Sequence, residues 1–208
     1  TVEVEDLFDK YITDKKDLYV IKSSKKEAKF KKGKTDKKIV WEISYKGYNN
    51  LKLSLLGFNQ TDNALCVLDA LDILKKEGYC IKDKAVFSAF ENAFWPARFE
   101  IIEKKNTYIL DGAHNIDAVR VLFENINMYF TNRNLIYIMG MYKDKAYEEV
   151  AEKYASKAKA IVTVTPKDSK RALNAFELGK IIKDYNENVT ASDSYCEALE
   201  IAELLSDK

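Results

Sequence analysis

The chain has 208 residues, of which 47% are hydrophobic and 32% are charged, and its formal net charge is +1. This length allows one large domain or two small ones, and the composition is typical of a globular protein. The near-zero net charge and the lack of an apolar run of ~18 residues argue against nucleic-acid and membrane partners. Three dispersed cysteines are typical of reduced thiols, so we expect a cytoplasmic protein.

The first predicted element is a short strand at residues 18–21. A lysine-rich stretch follows at residues 22–38, with a turn predicted at Gly33. The lysines could contact phosphate or nucleic acid, but no aromatic residues alternate with them. A solvated hairpin or loop is therefore the favoured interpretation. Gly33-Lys34-Thr35 resembles the end of a phosphate-binding loop, yet Ala28 stands where that motif needs its first glycine, so we predict no P-loop.

Two strands and two helices are predicted next. The strands are residues 39–45 and 51–55, joined by a turn at 47–50, and the helices run from Thr61 or Asp62 to Gly78 and from 83 to 94. The second helix must end before Pro96, because the residue before a proline is disfavoured in helical geometry. Asn63 falls in the predicted first turn, where an asparagine is more often a local hydrogen-bonding residue than a ligand contact.

The second half of the chain alternates between strands and amphipathic helices. Strands are predicted at residues 99–103, 107–110, 135–139, 160–164 and 189–191, and helices at 115–129, 147–156, 175–185 and after Ser194, which with Glu197 forms a predicted capping box. Continuous apolar strands that alternate with such helices indicate a mostly parallel sheet covered on both faces. We therefore predict a doubly wound, Rossmann-like α/β domain from residue 98 onward.

Polar residues gather in three loops that follow predicted strands: residues 111–115, 140–145 and 165–173. Such loops meet at one edge of a parallel sheet, and a helix start there favours anions, so the residues predict an anion or nucleotide site. Three of these residues also have an ordinary structural interpretation. Asp111 could cap a helix, His114 could be an ordinary surface or core residue, and Arg171 could simply lie along the surface.

Five motifs occur in a fixed order across residues 50–208. They are Gly57-Phe58-Asn59-Gln60-Thr61-Asp62-Asn63-Ala64, Trp95-Pro96-Ala97-Arg98-Phe99-Glu100, Asp111-Gly112-Ala113-His114-Asn115, Gly140-Met141-Tyr142-Lys143-Asp144-Lys145, and the loop from Thr165-Pro166 to Arg171-Ala172-Leu173. Together they resemble the folylpolyglutamate synthase/dihydrofolate synthase family of the Mur ligase superfamily. Three positions depart from that pattern: Asn59 replaces a histidine, Ala97 a glycine and Ala146 an aspartate.

The resemblance implies ATP-dependent amide ligation. MgATP would phosphorylate a carboxylate of folate or dihydropteroate, and the amine of L-glutamate would attack the acyl phosphate. By motif position it implies Asn63 on the adenine side, Arg98 at the phosphates, Asp111 at the ribose, His114 near the transferred phosphoryl group or the incoming glutamate, and Asn115 and Arg171 as weaker contacts for glutamate.

The resemblance also predicts which part of such an enzyme the chain represents. The family's phosphate loop and magnesium ligands belong to an N-terminal domain that this sequence does not contain. Residues 1–97 would then end the central ATPase domain, and residues 98–208 would form the glutamate-ligase domain. We expect the chain by itself to be a monomer without activity.

Two alternatives stay open beside this interpretation. A UDP-muramoyl-peptide Mur ligase would use Arg98 and Asp111 in the same way but build a different amide, and a non-catalytic α/β binding module would use neither for chemistry. The motifs around Asn63, Arg98 and His114 favour the folate branch. Whether dihydrofolate synthase activity accompanies it stays open.

Overall fold

The computed structural model describes residues 25–34, 39–167 and 170–206, and the chain divides into two compact units between Phe94 and Trp95. The strand predicted at residues 18–21 lies outside the described residues. None of the helices described is both long and apolar enough to cross a membrane.

The first unit is built on an antiparallel sheet of three strands in the order β1 (Lys29–Lys34), β2 (Ile39–Tyr45) and β3 (Tyr48–Leu53). The lysine-rich stretch supplies β1, as the hairpin interpretation predicts. The turn predicted at Gly33 is wrong, because Gly33 lies within β1 and is paired with Val40. A short 3-10 turn, Lys25–Glu27, precedes the sheet.

The hairpin of β2 and β3 turns earlier than predicted. Lys46 and Gly47 both have positive φ, 46° and 85°, and they form a two-residue turn that suits the twist of the flanking strands. The predicted turn at residues 47–50 is therefore wrong beyond Gly47, since Tyr48 already begins β3 and pairs with Tyr45. Ile43 and Leu51, opposite each other in the ladder, are fully buried beneath the helices of this unit.

Two helices complete the first unit: α1 (Phe58–Lys76) and α2 (Asp83–Glu91). The prediction that Thr61 or Asp62 caps α1 is wrong. The cap is Gly57, whose φ of 105° is a conformation that glycine adopts readily, and the Thr61 hydroxyl instead donates to the Phe58 carbonyl oxygen at 2.5 Å. Asn63 consequently lies in the second turn of α1.

A buried carboxylate joins α1 to the hairpin. Asp69 is 1% exposed and accepts hydrogen bonds from the Tyr45 hydroxyl at 2.9 Å and from the Lys46 ammonium at 2.5 Å. The hydrogen bond to Asp69 raises the pKa of Lys46 above its ordinary value. Because a buried charge must be paired, these contacts fix the turn of the hairpin against the helix.

The second unit has the predicted alternation of strands and helices. Its elements are β4 (Glu100–Glu103), β5 (Thr107–Leu110), α3 (Ile116–Tyr129), β6 (Ile136–Met139), α4 (Tyr147–Tyr154), β7 (Ala160–Thr163), α5 (Ala175–Lys183), β8 (Val189–Ala191) and α6 (Tyr195–Ser206). Strands β6, β7 and β8 form a parallel sheet, whereas β4 and β5 form an antiparallel hairpin.

The parallel sheet is covered on both faces. Every residue of its central strand, β7, is buried, and successive side chains of a strand point to opposite faces. Ile161 packs into a cluster with Leu178 of α5, and Val162 packs into a separate cluster with Ala198 of α6. This confirms the predicted doubly wound α/β architecture and directs the loops after β6 and β7 to one edge.

The predicted capping box at the start of α6 is confirmed. The Ser194 hydroxyl accepts from the Glu197 backbone N–H at 3.1 Å, and the Ser194 backbone N–H in turn interacts with the Glu197 carboxylate. That carboxylate also accepts from the Asp193 backbone N–H and the Ser192 hydroxyl. The hydrogen bonds from Asp193, Ser192 and Ser194 favour the ionised form and lower the pKa of Glu197.

Candidate functional site

Asp111, directly after β5, joins two loops of the second unit. Its Oδ2 accepts from the Phe99 backbone N–H at 2.8 Å, and its Oδ1 accepts from the Ala113 backbone N–H at 2.8 Å. The Gly112 N–H donates to the Ala97 carbonyl oxygen at 2.9 Å, which adds a direct backbone link. Two of these hydrogen bonds thus join the loop before β4 to the loop after β5, and the bond from Ala113 to Asp111 fixes the second loop internally.

Arg98 lies within the first of these loops. Its neighbours Ala97 and Phe99 both have left-handed backbones, with φ of 52° and 48°. The Phe99 side chain is buried, with its ring centroid 5.4 Å from that of Tyr129. Arg98 itself is exposed and forms no ion pair with Asp111 in the structure. The fixed backbone therefore presents an exposed guanidinium beside the anchored Asp111 loop.

Ala97 stands in a conformation that costs an alanine more than a glycine, because Cβ crowds the backbone at positive φ. We expect Ala97→Gly to raise the free energy of unfolding by about 0.5–1 kcal/mol, since relief of that crowding outweighs the added freedom of the unfolded chain. Urea denaturation of the two proteins measures the difference. A less stable glycine variant would contradict the assignment of strain to Ala97.

His114 and Asn115 occupy the turn that leads into α3. The helix predicted from residue 115 begins at Ile116, because Asn115 is its N-cap, whose Oδ1 accepts from the Ala118 backbone N–H at 2.8 Å. His114 is exposed, and its Nδ1 lies 2.8 Å from the Gly112 carbonyl oxygen. Because a carbonyl oxygen only accepts, Nδ1 carries the proton, and Nε2 is the ring nitrogen available to a ligand.

The loops after β6 and β7 are joined along their backbones. The Leu173 N–H donates to the Met141 carbonyl oxygen at 2.9 Å, and the Lys143 N–H donates to the Arg171 carbonyl oxygen at 2.8 Å. Tyr142 and Ala172 face each other in an antiparallel bridge between these two bonds. Residues 168 and 169 of the second loop lie outside the described residues.

Arg171 has specific partners on the first of these loops. Its NH1 lies 2.9 Å from Asp144 Oδ2, and its guanidinium carbon lies 5.1 Å from the centre of the Tyr142 ring. Asp144 does not cap the following helix, because the N-cap of α4 is Ala146 and no side chain bonds that helix end. Sequence reasoning found Arg171 and missed the contacts made by Asp144 and Tyr142.

The three strand-end loops share a hydrophobic cluster. Met141 and Leu173 are buried in it, and Ala113, beside His114, packs against it. The structure therefore brings five of the six predicted site residues into connected loops of the second unit: Arg98, Asp111, His114, Asn115 and Arg171. Asn63 belongs to the first unit, is exposed, and donates through its amide nitrogen to Gln60 Oε1 at 3.0 Å.

Across residues 25–34, 39–167 and 170–206, no three His, Cys, Asp or Glu side chains lie close enough together to hold a metal ion. The donors of the site are instead guanidinium, imidazole and amide groups, which suit anions and hydroxyls. No step of the chemistry proposed below is therefore assigned to a metal held by these residues.

The fold and these loops define a doubly wound α/β domain, and comparison with known proteins identifies its family. Residues 97–208 match the Mur ligase, glutamate ligase domain, which is more than half of the chain. The chain therefore belongs to the Mur ligase family. The matched range begins at the loop that carries Arg98 and contains the three strand-end loops.

Proteins similar to this chain include dihydrofolate synthases and folylpolyglutamate synthases. The chain is 33% identical over 117 residues to the dihydrofolate synthase/folylpolyglutamate synthase of Bacillus subtilis, an alignment that covers 56% of the chain and 27% of that protein. A crystal structure of Thermotoga maritima folylpolyglutamate synthase is 28% identical, with a TM-score of 0.69, and the alignment covers 84% of this chain and 41% of that one.

A second solved structure shares the fold at lower identity. Mycobacterium tuberculosis folylpolyglutamate synthase, complexed with ADP and AMPPCP, is 22% identical with a TM-score of 0.74. The alignment covers 88% of this chain and 42% of that one. The chain thus spans less than half the length of the relatives it matches.

Proposed function

We propose that this chain is part of an ATP-dependent ligase that joins L-glutamate to a carboxylate of folate or dihydropteroate. The observation that carries the proposal is the glutamate ligase domain at residues 97–208, with its candidate residues on strand-end loops that share one core. The Bacillus subtilis relative supports the folate branch over a UDP-muramoyl-peptide ligase. The proposed enzyme is monomeric and cytoplasmic.

The proposed reaction has two steps. A carboxylate oxygen of the folate attacks the γ-phosphorus of ATP, so an acyl phosphate forms and ADP leaves. The amine of glutamate then attacks the acyl carbon, loses a proton, and displaces inorganic phosphate to leave the amide. Such chemistry depends chiefly on positioning and on neutralising the charge of the phosphates.

The Arg98 and Asp111 loops supply the proposed nucleotide contacts. The exposed Arg98 guanidinium donates to phosphate oxygens. Each Asp111 oxygen accepts one backbone N–H and has a second lone pair, so the carboxylate can also accept from ribose hydroxyls. Asn63 is assigned to the adenine side, with its amide already oriented by Gln60.

The remaining loops supply the proposed contacts to the reacting groups. Nε2 of His114 faces the transferred phosphoryl group or the incoming glutamate, since its Nδ1 is held by the Gly112 carbonyl. Asn115 uses its Oδ1 as a helix cap, which leaves its amide nitrogen to donate to a glutamate carboxylate. Arg171 binds a carboxylate of glutamate through its planar fork.

Magnesium, when bound with ATP, supplies positive charge at the phosphates. We propose that its protein ligands lie outside the residues described, in a part of the ligase that also carries the phosphate-binding loop. The residues of this chain would then bind and orient the nucleotide and glutamate without coordinating the ion.

We expect the purified 208-residue chain to release no phosphate above background with MgATP, folate and glutamate, because its sequence carries no P-loop motif and its described residues form no metal site, both of which the reaction needs. The full-length ligase that contains it is expected to release phosphate only when folate and glutamate are both present. A coupled phosphate assay measures both proteins, with a UDP-muramoyl peptide as the alternative acceptor. Turnover by the chain alone would disprove the domain assignment, and acceptance of only the muramoyl peptide would disprove the folate assignment.

A further inference from the structure

We propose that Asp144 and Tyr142 are positioning residues that hold the Arg171 guanidinium ready for the carboxylate of the incoming amino acid. This inference rests on the proposed function, because it assumes that Arg171 binds that carboxylate. Neither partner residue was assigned a role by motif position. Their contacts to Arg171 join the loop after β6 to the loop after β7.

The two contacts restrict the guanidinium in different ways. Asp144 binds it from one edge, with 2.9 Å between NH1 and Oδ2, and the Tyr142 ring lies 5.1 Å from its central carbon. An arginine has several rotatable bonds, and 64% of the Arg171 side chain is exposed, so ordering it upon binding would cost entropy. Restriction before glutamate arrives lowers that cost.

The backbone around these side chains is fixed as well. Hydrogen bonds from Lys143 to Arg171 and from Leu173 to Met141 flank the bridge between Tyr142 and Ala172. Tyr142 and Asp144 therefore approach Arg171 from a segment whose register is set. A guanidinium has five N–H donors in a planar fork, so Arg171 can bind a carboxylate of glutamate while it keeps its contact with Asp144.

If Asp144 acted only through its charge, it would weaken glutamate binding instead of supporting it. Glutamate is an anion, and a nearby aspartate repels it, so removal of that charge should strengthen glutamate binding if repulsion is the dominant contribution. If Asp144 instead positions Arg171, its removal weakens glutamate binding. The sign of the change in glutamate KM therefore distinguishes positioning from simple repulsion.

The test uses the full-length ligase and measures KM for glutamate and ATP together with kcat. Asp144→Asn is expected to raise the glutamate KM about fivefold, in the upper range for an exposed ion pair, while the ATP KM and kcat stay within about twofold. Asp144→Glu is expected to restore part of the affinity. Tyr142→Leu is expected to raise the glutamate KM, and Tyr142→Phe, which keeps the ring, to raise it less.

A matched control removes a negative charge elsewhere on the same unit. Glu149 of α4 is half-buried and pairs with Lys153, so Glu149→Gln is expected to leave all three constants unchanged. A fall in the glutamate KM of Asp144→Asn, or the same rise in Glu149→Gln, would overturn the proposal. Arg171→Ala tests the assumed role of Arg171 separately from the positioning role of Asp144. If Arg171→Ala leaves the glutamate KM unchanged, Arg171 does not bind glutamate, and the proposed function of Arg171 is wrong.

A second measurement needs no catalysis. In the 208-residue chain, the NMR order parameter of the Arg171 side-chain Nε–H bond reports how strongly the guanidinium is held. Asp144→Asn is expected to lower it, and Glu149→Gln to leave it unchanged. An Arg171 that is equally ordered in Asp144→Asn would contradict the positioning role even if the enzyme's constants changed.

Discussion

Replacement of Asp111 by alanine is expected to lower the free energy of unfolding of the chain by about 2–4 kcal/mol, because the backbone N–H groups of Phe99 and Ala113 lose their acceptor. Asp111→Asn retains one carbonyl oxygen, so its loss is expected to be smaller. Urea denaturation of the 208-residue chain, followed by circular dichroism, measures both variants. The alanine variant should also have the lower melting temperature.

An unchanged midpoint for Asp111→Ala would mean that the carboxylate does not hold the two loops together. Because Asp111 also stabilises the fold, activity measurements on its variants must be interpreted with their stability in mind. In the full-length ligase, Asp111→Ala is expected to weaken ATP binding, both because a ribose contact is lost and because the Arg98 loop loses its anchor. ATP affinity must therefore be compared below the melting temperature of the variant.

The sequence was most informative about the second unit. Its helices carry apolar residues at a clear helical period, and the strand predicted at residues 160–164, apolar except for Thr163, has a strong local signal. Local signals also located the three loops, because a polar run after an apolar strand is visible without a structure. The doubly wound fold could for this reason be predicted before any coordinates.

The wrong predictions concern segments whose structure depends on backbone geometry or on contacts between residues distant in sequence. The start of α1 depends on the conformation of Gly57, which no residue pattern reports, so Thr61 and Asp62 seemed the better caps. The turn at Lys46 and Gly47 places a lysine at positive φ, against its ordinary preference. The ion pair between Lys46 and the buried Asp69 helps to stabilise this backbone conformation. Because the two residues are far apart in sequence, no local pattern reports the contact.

The candidate site could be predicted as a set of residues but not as a network. Arg171 was found from its motif, yet its pairing with Asp144, 27 positions away, follows only from the adjacent loops. The backbone role of Asp111 had a usable signal. The predicted strands before and after residues 104–106 form a hairpin in which Glu100 pairs with Leu110, and this register places Phe99 opposite Asp111.

Replacement of Arg98 by alanine is expected to lower kcat/KM for ATP by about 10- to 150-fold in the full-length ligase, because a charge-assisted hydrogen bond is worth about 1.5–3 kcal/mol. Its stability should change little, since Arg98 is exposed and the surrounding loop is held by backbone groups and by Asp111. Steady-state kinetics with varied ATP and a thermal melt without nucleotide measure the two effects separately.

Two further variants define what the Arg98 side chain contributes. Arg98→Lys keeps the charge but loses the planar fork, so an intermediate loss is expected if the guanidinium binds phosphate oxygens through two donors. Arg133→Ala removes an exposed arginine beyond the opposite end of α3 and is expected to change neither ATP kinetics nor stability. An Arg98→Ala enzyme with unchanged ATP kinetics would remove Arg98 from the nucleotide site. Equal losses in Arg98→Ala and Arg133→Ala would instead indicate a general effect of net charge, because long-range attraction of ATP does not depend on which arginine is lost.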